Sequence, residues 1–86
     1  MSEQYSIHLT KSVKKSIKNI PALKQKRLLK AILNLQIDPL CGKKLNGELE
    51  GMRKLRVWPY RIIYAVDVIN KVVVIHKAEH RQGIYK

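Results

Sequence analysis

The sequence predicts an α+β fold, a two-helix hairpin packed on an antiparallel sheet in the order β-α-α-β-β-β, with residues 1–86 forming one domain. Three observations predict it. Apolar residues recur at helical spacing between residues 11 and 35, they alternate with polar ones in three runs after residue 52, and a short alternating run precedes both. A chain of 86 residues has room for one core, and a 45% hydrophobic content is enough to fill it.

The elements follow in order. Tyr5, Ile7 and Leu9 alternate with Ser6 and His8, the period of a half-buried strand. Thr10 then stands where an N-cap belongs, and Val13, Ile17 and Ile20 follow at helical spacing while Lys11, Lys14, Lys15 and Lys18 face elsewhere. Pro21 closes this helix. From Ala22 to about Leu35, Leu28, Ile32 and Leu35 form one seam and Leu29 and Leu33 a second, with Lys24, Lys26, Arg27 and Lys30 on the wet side. Asp38-Pro39 breaks the second helix, because a residue before proline is pushed out of the helical region, and Gly42, Asn46, Gly47 and Gly51 predict a loop. Beyond it, Arg53 to Trp58, Tyr60 to Val66 and Lys71 to Ala78 are rich in β-branched and aromatic residues and form a three-stranded meander. The tail from Glu79 to Lys86 is too polar to extend the core.

Charge narrows the partners. Eighteen Lys and Arg against six Asp and Glu leave +12 at pH 7. Such a field attracts nucleic acid through its phosphates, and an acidic protein would also satisfy it. No apolar run approaches the roughly 18 residues of a membrane span, and Met1 to Tyr5 lacks the start of a secretion signal, so a cytoplasmic protein with no membrane partner is expected. The lone Cys41 and the scattered His8, His76 and His80 supply no spaced ligand set, so neither a metal nor another cofactor is expected.

Parity along the strands then gathers the candidate site. In Arg53 to Trp58, Leu55 and Val57 take one side and Lys54, Arg56 and Trp58 the other, and burial sends the charged side outward. In the next strand Arg61 shares its face with Ile63 and Ala65, away from Ile62, Tyr64 and Val66. Pairing of the two strands sets Arg61 close to Lys54 or Arg56, and folding gains nothing from like charges that near. The acidic residues nearest in sequence, Glu48 and Glu50, fall in the preceding loop. A cluster of cations without partners on a sheet is what a phosphate-binding surface requires.

These residues also carry a resemblance. Lys44-Leu45-Asn46-Gly47, Arg53-Lys54-Leu55-Arg56-Val57, Tyr60-Arg61-Ile62-Ile63-Tyr64 and a final His80-Arg81 with Tyr85 resemble, in that order, the running pattern of the RelE/ParE superfamily of bacterial and archaeal toxins. The resemblance implies a microbial-ribonuclease-like fold without a metal. It implies a ribosome-dependent endoribonuclease of RelE type, an mRNA interferase that cuts the codon in the ribosomal A site, contacts ribosomal RNA and inhibits translation. It also implies a cognate RelB-like antitoxin that silences the toxin with an acidic amphipathic helix. By the same resemblance Lys54 activates the 2′-hydroxyl or stabilises charge, Arg61 grips the scissile phosphate, Arg56 and Arg81 are recurrent basic positions, Tyr85 stacks on or orients the base, and His80 is the general acid. Arg53, Arg56, Trp58, Lys43 and Lys44 complete the expected RNA-contacting set. The chain departs from the pattern at Trp58-Pro59, where many relatives have Gly and Asp, and in lacking a clear counterpart of the glutamate that some relatives use as a base.

The chemistry is consistent on its own terms. Cleavage by the 2′-hydroxyl needs a base for that proton, cations for the charge on five-coordinate phosphorus, and an acid for the departing 5′-oxygen. Like charges disfavour a protonated lysine, so crowding of Lys54 by Arg53, Arg56 and Arg61 is the route by which a lysine would serve as base. Two other readings share the scaffold: a ParE-like inhibitor of DNA gyrase, and an inactive relative that only binds its antitoxin. Gyrase inhibition gives no reason to collect phosphate-handling groups on one sheet face.

Overall fold

Helical and alternating periodicities resolve into two layers. The computed structural model describes residues 4–47 and 50–80, in the order β1 (Ser6–Leu9), α1 (Lys11–Lys18), α2 (Ala22–Asn34), β2 (Lys43–Lys44), β3 (Met52–Val57), β4 (Tyr60–Asp67) and β5 (Val72–His80). The Thr10 hydroxyl accepts a 3.2 Å hydrogen bond from the Val13 N–H, satisfying one of the donors that the first turn of a helix leaves without a partner. The Gln25 side-chain amide donates to the Ile17 carbonyl at 2.8 Å, so α2 caps the end of α1 and the hairpin is tied across its turn.

Both helices shelter one face of a five-stranded sheet of order β1-β5-β4-β3-β2. Val13 and Ile17 of α1 and Leu28 and Ile32 of α2 face inward as predicted and meet Tyr60, Ile62 and Tyr64 of β4 and Val73 and Ile75 of β5, whereas the second seam expected on α2, Leu29 and Leu33, is exposed. Leu28, Ile62, Tyr64, Val73 and Ile75 are sealed from water. Each such aliphatic side chain stabilises the fold by about 1.5–3 kcal/mol, an upper bound because the unfolded chain already buries part of it.

The fold class is the one the sequence predicts, and the sheet is richer than a meander. β1 adds at the outer edge of β5 and runs parallel to it, with Ile7 opposite Val73, so the sheet is mixed. Alternation marks a strand and says nothing of its direction. β2 lies inside the stretch read as a loop and pairs antiparallel with β3 through Lys43↔Lys54 and Lys44↔Arg53; two lysines carry no strand signal. The last strand continues through Glu79 and His80 instead of ending at Ala78.

A bulge sets the parity of that last strand. Tyr64 pairs with Ile75 and Ile63 with Lys77, which leaves His76 as the extra residue. Before the bulge Val73 and Ile75 face the core; after it Ala78 does. Lys77 and Glu79 therefore take the opposite face, where simple alternation from Ile75 would have buried them.

Candidate functional site

The face of the sheet turned away from the helices carries the candidate site. β3 presents Lys54 and Arg56 there, because Leu55 and Val57 pack against the core. β4 presents Arg61, because Tyr60 and Ile62 do the same. The register sets Arg56 directly opposite Arg61 and Lys43 directly opposite Lys54. Side chains so paired start about 5 Å apart at Cβ, and like charges at that separation are destabilising. Two such pairs therefore share one patch. Ile63 lies between Lys54 and Lys77 in the ladder and is buried although it faces away from the helices, as expected where aliphatic lysine stems lie across an apolar neighbour.

The patch contains a carboxylate that parity did not place there. Glu79 stands opposite Arg61 in the ladder, and its Oε1 is 3.9 Å from Lys77 Nζ. The expectation of cations without acidic neighbours is corrected accordingly: the bulge at His76 turns both Lys77 and Glu79 outward. A sequence reading could have found them only by anticipating that bulge.

Three of the expected residues, Arg53, Lys44 and His80, take other positions. Arg53 lies on the helix side of β3 and donates from Nη1 to the carbonyls of Gly42, at 2.8 Å, and Leu40, at 3.1 Å. It holds the loop before β2. Lys44, its ladder partner, is exposed on the same side. His80 also faces the helix side, where its ring meets Tyr60 edge-on at 5.2 Å between centroids. The same bulge that exposes Glu79 turns His80 away from Lys54, Arg56 and Arg61. Trp58 is 56% exposed in the β3–β4 turn, and Arg81 and Tyr85 lie outside the described residues.

A polar buttress supports the site from beneath. The hydroxyl of buried Tyr64 accepts a 2.9 Å hydrogen bond from the Gly42 N–H and donates a 2.9 Å hydrogen bond to the Pro39 carbonyl. Burial raises the Tyr64 hydroxyl above the ordinary tyrosine value, opposed in part by the bond from Gly42. Gly42 is required at this point: a Cβ there would come within 2.8 Å of the Lys54 carbonyl and would also meet the Tyr64 ring and hydroxyl. The loop thus presses directly on the backbone that carries Lys54.

At the β3 edge, Arg56 borders an open groove of about 620 Å³ shared with Arg27, Lys30, Leu33 and Ile37 of the α2 side. Among the described residues, no cluster of three or more His, Cys, Asp or Glu could hold a metal ion.

A helical hairpin on one face of a mixed sheet, with cations on the uncovered face, defines the chain as a small basic α+β protein. It belongs to the family described as ParE toxin of type II toxin-antitoxin system, parDE, whose model matches residues 7–85. Within that family its similarity runs to RelE-type toxins. It is 31% identical to Toxin RelG of Mycobacterium tuberculosis over 95% of this chain and 97% of that one. Its fold matches the toxin-antitoxin complex RelBE2 from Mycobacterium tuberculosis, with a TM-score of 0.85 and 28% identity over 91% of this chain and 99% of that one. The archaeal RelE-RelB complex from Pyrococcus horikoshii matches with a TM-score of 0.80 and 28% identity over 91% and 96% of the two chains. The protein is a toxin of a type II toxin-antitoxin module.

Proposed function

We propose that this toxin is a metal-independent endoribonuclease that cuts mRNA in the ribosomal A site and so inhibits translation. The observation that carries the reading is the register that opposes Arg56 to Arg61 beside Lys54 on the uncovered face. A fold does not collect like charges at ladder distance for its own stability, whereas a phosphate passing through a five-coordinate state needs that field. In the proposed reaction the 2′-oxygen forms a bond to phosphorus as the bond to the 5′-oxygen breaks, giving a cyclic phosphate and a free 5′-hydroxyl. Arg61 and Arg56 hold the non-bridging oxygens, with Arg81 joining them and Tyr85 orienting the base. Glu79 is the carboxylate on that face able to take the 2′-hydroxyl proton, and an ammonium group such as that of Lys54 returns one to the leaving oxygen.

The antitoxin partner follows from the groove beside Arg56. Its aliphatic floor of Leu33 and Ile37, rimmed by Arg27, Lys30 and Arg56, suits an acidic amphipathic helix of a RelB-like protein. Such an occupant would neutralise Arg56. The reading places the 86 residues in the cytoplasm as one toxin domain; no helix of the described residues is long and apolar enough to cross a membrane.

Primer extension on mRNA after induction tests the reading. Stops inside translated codons are expected, together with relief of growth arrest by Arg61→Ala at equal expression. The family's ParE description makes gyrase inhibition the competing reading, and intact message with DNA damage would establish it instead. Undiminished toxicity of Arg61→Ala would discard the cleavage mechanism.

A further inference from the structure

One ring is placed where the fold makes little use of it. Of the Tyr and Trp side chains described, Tyr60 and Tyr64 are buried in the core and Tyr5 packs against it, with Lys71 Nζ 5.2 Å from its ring centre. Trp58, the single tryptophan of the chain, is 56% exposed. Among the described residues no other Trp or Tyr is exposed, and the chain has no Phe.

Neither the turn nor the core asks for an indole at this point. Pro59 fixes its own backbone and holds residue 58 to the extended region, where any side chain can stand. A tryptophan stabilises a fold through the area it removes from water, and here more than half of that area is left wet. Register gives the ring its place. Val57↔Tyr60 closes the β3–β4 ladder, and the rung before it is Arg56↔Arg61. Trp58 therefore stands two residues past Arg56, about 7 Å at the rise of a strand. That is the reach from a backbone phosphate to the base beside it.

We propose that Trp58 is a stacking platform for a single strand: the base adjoining the phosphate held by Arg56 and Arg61 lies flat on the indole. That the strand is RNA rests on the cleavage reading; the placement of the ring beside the guanidinium pair does not. Every base has a π-face, so the contact accepts any sequence while favouring the larger rings of purines. It is made before and during bond breaking alike, so it lowers KM without adding to kcat. Its effect on the reaction is one of register, since a base seated on the ring leaves its neighbouring phosphate between the two guanidinium groups.

Titration of the full chain with short single strands carrying 2′-O-methyl groups, which lack the attacking hydroxyl, tests the platform apart from cutting. The single indole is the probe. Its fluorescence should be quenched on binding, more by an oligoadenylate than by an oligouridylate of equal length. By anisotropy of a labelled strand, Trp58→Leu, which keeps an apolar side chain but no π-face, should bind at least about fivefold more weakly, and Trp58→Phe should recover part of the loss. The slope of log affinity against log salt should stay that of the parent in Trp58→Leu, because no phosphate contact is lost, and become shallower by about 0.7 in Arg56→Gln. Circular dichroism verifies that the variants fold. On ribosomes programmed with message, Trp58→Leu should raise KM more than it lowers kcat. An indole signal that no bound strand moves, or a Trp58→Leu variant that binds as the parent does, overturns the proposal. So does a Trp58→Leu variant whose salt slope falls with its affinity, because the turn would then be acting through the cations. A parent that binds with quenching but leaves message intact on ribosomes would refute cleavage and leave the platform standing.

Discussion

Removing one oxygen from the core tests the account of how the site is supported. Tyr64→Phe keeps the ring and deletes the hydroxyl, leaving the Gly42 N–H and the Pro39 carbonyl without the partners they have at 2.9 Å each. Both residues are buried, so neither group regains water without opening the loop. An orphaned buried group costs about 1–3 kcal/mol, and for two sharing one loop a total near 3 kcal/mol is expected. For a domain of this size that corresponds to a fall in Tm of roughly 12–24 °C. Urea and thermal unfolding of parent and variant measure it. The pH dependence adds a signature. Because the folded hydroxyl titrates above the ordinary value, the unfolded chain loses its Tyr64 proton first as pH rises. That stability is fully present below about pH 10 and is lost as pH climbs through the raised value. The gap between parent and variant should therefore narrow above about pH 10. A Tyr64→Phe loss under about 0.5 kcal/mol, or a gap independent of pH, would refute the buttress.

Three further outcomes follow from the geometry. Gly42→Ala drives a methyl against the Lys54 carbonyl and should cost about 1–3 kcal/mol by overpacking, visible as a lowered denaturation midpoint together with slower RNA cutting. Glu79→Gln should slow cutting by about 10²–10³, as loss of a general base does; an unchanged rate would remove Glu79 from the chemistry. His80→Ala should leave the cutting rate within about twofold, because its ring rests on Tyr60; a loss of the roughly 10²–10⁴ that a general acid contributes would return His80 to the leaving group.

The sequence made some of this site legible and hid the rest for identifiable reasons. Lys54, Arg56 and Arg61 were readable because β3 and β4 are regular and their alternate residues are plainly apolar, so parity alone decides which way each cation points. The helices were readable because Val13 and Ile17, and Leu28 and Ile32, repeat at the spacing of one buried stripe. Beyond Ile75 parity failed, since a single extra residue at His76 inverts every later side chain and no composition marks it. Arg53 shares the parity of Leu55 and Val57, so its side of β3 was readable; its guanidinium's partners, the carbonyls of Leu40 and Gly42, are backbone atoms that no sequence motif announces.

The central strand β4 has no spare side. Tyr60, Ile62 and Tyr64 fill the interior while Arg61, between them, serves the exterior. Inserting or deleting one residue between Tyr60 and Tyr64, without a bulge like that at His76 to absorb it, would swap inside for outside on one flank of the change, taking a ring out of the interior or driving a guanidinium into oil. Substitution in β4 is therefore cheaper than a change in its length.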